Sequence, residues 1–283
     1  MKFLTLEQLP FSVLHQGFLS AFSDYSVKME MSEIELSARL QRIAYRPLLS
    51  AGALDDKTFC SFIFTGIGNF NGLKTAYNGG TGVIPSYRGQ QLGIKTYEYL
   101  FERFSQHSIK QCLLEVITDN HKAVQLYKKL GFQTSRLFKC YSLGQKLLPT
   151  AAAIPLQINQ AELIDWEKYL PFCTTQASWQ NTFSAIQRDM TQETILEAYS
   201  KTTLIGFISF NDRNGKISQI GVSPAYRRAK VGSNLILAAQ RLSQKTPAIL
   251  NVDEADQISC SFFKKLGFNN PIDQYEMVLD LNE

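Results

Sequence analysis

Two blocks of this sequence occur twice, in the same order and at nearly the same separation. Val83-Ile84-Pro85-Ser86-Tyr87-Arg88, running on to Leu92-Gly93, returns as Val222-Ser223-Pro224-Ala225-Tyr226-Arg227, running on to Val231-Gly232. Leu126-Tyr127-Lys128-Lys129-Leu130-Gly131-Phe132 returns as Phe262-Phe263-Lys264-Lys265-Leu266-Gly267-Phe268. The step from Arg88 to Arg227 is 139 positions and that from Gly131 to Gly267 is 136, a coincidence that chance composition does not produce. The chain therefore reads as a tandem repeat of one domain of about 140 residues, a size at which a single core is normal. The expected domains are residues 1–146 and 150–283, joined by Pro149-Thr150-Ala151-Ala152-Ala153. Differences between the two copies then carry information about function.

Each first block has the form of a strand, a loop and a helix. Asn78-Gly79-Gly80-Thr81-Gly82 is rich in Gly, which predicts a bulged strand end whose backbone groups pair with something other than a neighbouring strand. After Arg88 the apolar residues Leu92, Ile94, Tyr97, Leu100, Phe101 and Phe104 recur at helical spacing, so the Arg88-to-Gly93 segment sits at a helix N-terminus. Unpaired amides and the positive end of the helix dipole make that place an anion site, and Arg88 adds a charged donor suited to phosphate. A pyrophosphate is the ligand this geometry suits.

The same signals lay out the remainder of the first half. Strands are predicted near 2–6, 48–54, 57–66, 72–83, 111–118 and 132–143. Helices are predicted from Pro10 to Phe22, from the capping box Ser32 to Glu35, and from Asn120 to Leu130, the last ended by Gly131. The second half should repeat the order from Ile154. The fold class is mixed α/β (α+β), each domain a twisted, mostly antiparallel sheet flanked by helices.

Arg-x-x-x-x-Gly after a Val-x-Pro strand end, then Leu114-Glu115-Val116, Asn120, Ala123, Tyr127 and Gly131-Phe132 in register, resembles the GNAT N-acetyltransferase superfamily. The likeness covers roughly 72–140 and 216–270. It implies acetyl-CoA as acyl donor, its pyrophosphate held by Arg88, Gly89, Gln90, Gln91, Leu92 and Gly93. The pantetheine arm would pair with the backbone of Val83 and Ile84, with Asn120 and Ala123 alongside. One departure stands out: the family usually has Gly where this chain has Gln91, and Lys230 occupies that place in the second copy.

An amine acceptor attacks only when neutral, and for a lysine-like amine at pH 7 deprotonation costs about 4.6 kcal/mol. By the resemblance, Glu115 is the base that removes that proton, directly or through water, and Tyr127 the acid that protonates the departing thiolate. Asp24 and Tyr25, after the first helix, and Tyr77 and Asn78, on the bulged strand, are candidates for the acceptor side. In the second copy Tyr127 maps to Phe263, Glu115 to Asn251, Asn120 to Asp256 and Ala123 to Ser259. Phe cannot donate a proton and Asn cannot accept one at neutral pH, so this copy is expected to be degenerate for proton transfer.

Composition bounds the alternatives. No apolar stretch reaches about 18 residues and no leader pattern opens the chain, which leads to the expectation of a cytoplasmic protein without a membrane partner. Cys60, Cys112, Cys140, Cys173 and Cys260 are scattered without a C-x-x-C pair, as reduced thiols would be, and no metal site is read from His15, His107 and His121. Residues 1–146 hold 17 Lys and Arg against 11 Asp and Glu, and the remainder 12 against 14, so the basic half matches an anionic donor. A nucleic-acid partner is not expected, because no basic run is interleaved with aromatics. The reading is an acyl-CoA-dependent N-acetyltransferase acting on a small-molecule or peptide amine, working in residues 1–146. Its rival is a non-catalytic acetyl-CoA-binding or scaffold protein built from the same repeats.

Overall fold

The computed structural model describes residues 1–24, 30–149 and 153–281. By its internal contacts the chain divides into two compact units, one made of Met1–Ser135 and Tyr275–Glu283, the other of Arg136–Gln274. The sequence repeat and the compact units thus do not share boundaries: the end of each half belongs to the unit built mainly from the other.

The first unit contains β1 (Lys2–Thr5), α1 (Phe11–Ala21), α2 (Glu33–Arg42), β2 (Ala51–Asp55), β3 (Thr58–Phe70), β4 (Leu73–Val83), α3 (Leu92–Gln106), β5 (Gln111–Ile117) and α4 (His121–Lys129). The predicted elements are present with ends moved by a few residues. The predicted capping box closes the start of α2, where the Glu35 amide donates to Ser32 Oγ at 3.3 Å and the Ser32 amide donates to the Glu35 carboxylate at 2.8 Å. Gly131 follows α4 at a φ of 95°, a left-handed turn that suits glycine. Strands β1 to β4 pair antiparallel in sequence order, whereas β4 and β5 run parallel from Thr75–Gln111 to Asn78–Leu114. The last residues of the chain's final strand lie beside β5, with the Leu281 amide donating to the Lys110 carbonyl at 2.9 Å. Met277 from that segment is fully buried in the cluster that holds Tyr97, Leu100, Leu114 and Tyr127.

The second unit takes Arg136–Ser142 of β6 (Gln133–Ser142). It adds β7 (Gln157–Gln160), α5 (Phe183–Arg188), β8 (Thr194–Ser200), β9 (Thr203–Phe210), β10 (Lys216–Val222), α6 (Val231–Ser243), β11 (Ala248–Asp253), α7 (Gln257–Lys265) and the first part of β12 (Asn269–Asp280). Its opening departs from the expected repeat: residues 161–193 form short 3-10 turns and the six-residue α5 in place of two full helices. The reason is local. Pro171 interrupts the helical pattern, and side-chain caps restart the chain every few residues, Asp165 accepting from the Glu167 amide and Thr182 from the Ala185 amide. Strand β6 pairs antiparallel with β11, and Tyr141 joins Leu235, Ile236 and Phe263 in the core. All five cysteines are free thiols, and among the described residues no helix is long and apolar enough to cross a membrane.

Candidate active site

The site in the first unit is organised by the end of β4. The β4–β5 ladder stops at Asn78–Leu114, and the register of β3 on β4 shifts between Phe64 and Thr65, so the bulge falls at Gly79. A Cβ on Gly79 would stand 2.1 Å from Ile43 Cδ1, so a side chain there would have to push that methyl aside. Beyond it the strand runs on as Gly80 to Val83 while still paired to β3.

Two consecutive residues before the bulge gather the proposed acid and base. Tyr77 Oη donates to Glu115 Oε2 at 3.0 Å, and Asn78 Nδ2 lies 2.6 Å from Tyr97 Oη, 2.8 Å from Thr81 Oγ1 and 3.5 Å from Tyr127 Oη. The Asn78 carbonyl oxygen takes the Gly80 amide at 2.9 Å, which fixes the orientation of its NH2 group. Tyr77 and Asn78, expected on the acceptor side, are thus bonded to the expected base and beside the expected acid. Tyr127 is buried, with its ring edge-on to Tyr97 and to Phe132, whereas Glu115 is half-buried. Tyr97 was legible only as one apolar helix position. Its hydroxyl is fully enclosed, and burial, with the nearby Cys112 and Tyr127, pushes it well above the usual phenol range.

The loop after β4 has the expected form. Gly89 at φ 81° and Gln91 at φ 60° are both left-handed, and Gln91 opens α3 with no side-chain cap on the helix amides. The position where the family prefers Gly is therefore one that strains Gln, by roughly 1–2 kcal/mol. A Cβ on Gly93 would come within 2.9 Å of Leu126 Cδ1, so this glycine lets α3 and α4 pack closely. Leu92 is buried while Gln90 is exposed. Asn120 caps α4, accepting from the Ala123 amide at 3.2 Å.

Arg88 sits at this loop, yet the bidentate contact expected for phosphate is made here with a carboxylate. Its Nη1 and Nη2 donate to Asp24 at 2.6 and 2.9 Å, Nη2 also donates to the Ala21 carbonyl at 2.9 Å, and Nε to the Val83 carbonyl at 3.2 Å. The arginine ties the end of α1 to the end of β4. Asp24, expected beside the acceptor, is the other half of this tie, and the Arg88 hydrogen bond holds its carboxyl below the usual range. The Ile84 amide donates to the Cys60 carbonyl at 2.9 Å, so Val83 and Ile84 each give one backbone group to the protein itself. Tyr25 lies outside the described residues.

In the second unit the corresponding positions are built differently. Phe263 is buried and stacks on Tyr141 at 5.4 Å between ring centroids. Asn251 takes a left-handed φ of 60° beside a register shift of β11 on β6, and its Nδ2 donates to Ser178 Oγ at 3.3 Å. Asp256 caps α7, accepting from the Ser259 amide at 3.0 Å and from the Thr174 hydroxyl.

The sequence matches the Acetyltransferase (GNAT) family twice, over residues 16–132 and 158–268, and the chain belongs to that family. Among solved structures it is similar to a tandem GNAT protein from the clavulanic acid biosynthesis pathway, with a TM-score of 0.73 and 12% identity over 100% of this chain and 99% of that one. A GCN5-related N-acetyltransferase from Sphaerobacter thermophilus gives a TM-score of 0.71 at 11% identity, over 100% of this chain and 96% of that one. A putative acetyltransferase from Pyrococcus horikoshii gives 0.68 at 15%, over 99% and 88%. At such identities these structures establish the fold, tandem GNAT domains. No curated protein matches the sequence.

Proposed function

We propose that the chain transfers an acetyl group from acetyl-CoA to a primary amine, with the chemistry in the first unit. Family membership supports acyl transfer as the class of reaction. The observation that carries the finer reading is the pair of contacts made by adjacent residues of β4: Tyr77 to Glu115 at 3.0 Å and Asn78 to Tyr127 at 3.5 Å. One strand end thereby serves both a carboxylate and a phenol.

In this reading the uncapped amides at the start of α3 take the diphosphate, and the backbone beyond the Gly79 bulge meets the amide-bearing arm. Arg88 and Asp24 hold the loop in place for them. Glu115, directly or through water, takes a proton from the ammonium form of the acceptor. The neutral nitrogen then attacks the thioester carbon, and the tetrahedral adduct collapses with loss of CoA thiolate. Tyr127 gives its proton to that sulfur and regains one from solvent, while the nitrogen sheds its second proton to become the amide. Asn78 positions the Tyr127 hydroxyl, and Tyr77 positions the carboxylate. In this reading the protein works in the cytoplasm.

The test is a panel of peptide N-termini, amino acids, polyamines and amino sugars incubated with acetyl-CoA and the full chain, read by mass spectrometry and by CoA thiol release. Acetylated amine formed in step with thiol is the expected result. Thiol release only by hydrolysis, with every acceptor unchanged, contradicts the proposal.

A further inference from the structure

Successive side chains of a strand point to opposite faces, so with Asn78 turned toward Tyr97 and Tyr127, Tyr77 lies on the other face with Glu115. The end of α2 rests on β3 and β4 beside the bulge: a Cβ on Gly79 would meet Ile43 Cδ1, and one on Gly66 would meet the Ile43 carbonyl. Backbone bonds pin it there, the Arg46 amide donating to the Thr65 carbonyl at 2.8 Å and the Ile67 amide to the Ala44 carbonyl at 3.0 Å. One turn before Ile43, on the same face of the helix, Arg39 Nη2 donates to the Gly79 carbonyl at 3.3 Å. Arg39 is half-buried, and among the described residues no carboxylate stands within ion-pair distance of it. A guanidinium carries five N–H donors in a planar fork that matches a carboxylate, and this carbonyl takes one of them.

Asn78 and Leu114 are the last paired residues of β4 and β5, so the next residue of each strand, Gly79 and Glu115, face each other where the strands part. A cation bonded at Gly79 and a carboxylate on Glu115 thus occupy facing positions, one held by the seated helix and the other by Tyr77. An acceptor without an anionic group, such as a polyamine or an amino sugar, gives Arg39 nothing to bind, and a polyamine's extra charges are repelled by it. A zwitterion with its amine and carboxylate on one carbon meets both groups at once.

We propose that Arg39 binds the carboxylate of the acceptor, and that the acceptor is a free α-amino acid with its amine directed at Glu115. Arg39 serves recognition and moves no proton. A peptide N-terminus, whose neighbouring carboxyl is tied up as an amide, is a poorer ligand. The fate of the amine rests on the proposed function, whereas binding of the carboxylate does not require catalysis.

The experiment offers the full chain and acetyl-CoA a panel of free amino acids and the matching carboxamides, with kcat/KM read by mass spectrometry, and repeats it with Arg39→Gln and Arg39→Lys. The best free amino acid should exceed its carboxamide by about tenfold or more, the scale of a lost hydrogen bond between charged groups. Arg39→Gln should erase that preference and Arg39→Lys should keep part of it. Each preference is a ratio within one sample, so a fraction of unfolded protein cancels from it, and a role confined to seating α2 would lower both rates together. Equal use of acid and carboxamide by the unaltered chain, or a preference that survives Arg39→Gln, overturns the inference and leaves the proposed function standing. Calorimetric titration of the full chain with the same amino acids, at saturating coenzyme A, reads binding separately. A free acid that binds, loses its binding in Arg39→Gln and is never acetylated refutes the proposed function and leaves Arg39 as the carboxylate site. Neither binding nor acetylation of any amino acid overturns the inference.

Discussion

Met277 lies in the second sequence repeat but is fully buried in the core of the first unit, so truncating it should destabilise the unit it does not belong to by sequence. Met277→Ala removes three buried heavy atoms beside Tyr97, Leu114 and Tyr127. Such truncations cost about 2–5 kcal/mol, against a total stability for an ordinary domain of about 5–15 kcal/mol. The two tryptophans of the chain, Trp166 and Trp179, both lie in the second unit, which gives the experiment a local probe. In urea titrations the far-UV circular dichroism of Met277→Ala should show an early transition that tryptophan fluorescence does not share. Ile236→Ala, in the core of the second unit, should move the fluorescence transition instead. If Met277→Ala shifts tryptophan fluorescence by the full amount and leaves the rest of the circular dichroism change in place, the closing strand stabilises the second unit and the exchange of strands is wrong.

Three further outcomes follow from local geometry. Gln91→Gly relieves a left-handed φ of 60° and should raise stability by roughly 0.5–1 kcal/mol after the added entropy of the unfolded chain, read by thermal melting; a loss of stability contradicts the strain. Arg88→Ala should act through the tie to α1 and lower the melting temperature, and Asp24→Asn should reproduce part of that loss; weaker acetyl-CoA binding with unchanged stability would place Arg88 on the phosphates instead. Burial pushes the Cys173 thiol up to about 11. At pH 8 only about one thiol in a thousand is then thiolate, against about a quarter for an ordinary cysteine. Alkylation of Cys173 followed by peptide mass spectrometry should therefore accelerate steadily as pH rises from 8 to 10, and a rate already at its plateau by pH 9 contradicts the shift.

The elements of the first half were legible because each carries its own stop: the Ser32–Glu35 box, Gly131 after α4, the Gly-rich end of β4. The exchange of closing strands was not, since residues 133–142 and 269–280 fit a sheet edge equally well and their neighbours are chosen by long-range pairing. Nor was the interrupted opening of the second half, where Pro171 and the caps at Asp165 and Thr182 outweigh the pattern inherited from the repeat. At the site, Glu115, Asn120 and Tyr127 could be named from motif register. Asn78 could be named but not its role, because its closeness to Tyr127 arises from packing α3 and α4 against the sheet. The bond between Arg88 and Asp24 spans 64 positions with no local signal at either end.

We propose that acetyl transfer occurs in the first unit with Tyr127 as the acid. The most direct test is the turnover of the full-length Tyr127→Phe protein, at saturating acetyl-CoA, with the best amine from the acceptor panel. Turnover should fall by about 100-fold or more with acetyl-CoA binding nearly intact, the size usual for losing a general acid. Turnover equal to that of the unaltered protein would contradict it, since Phe263 offers no phenol in the second unit to take over the role.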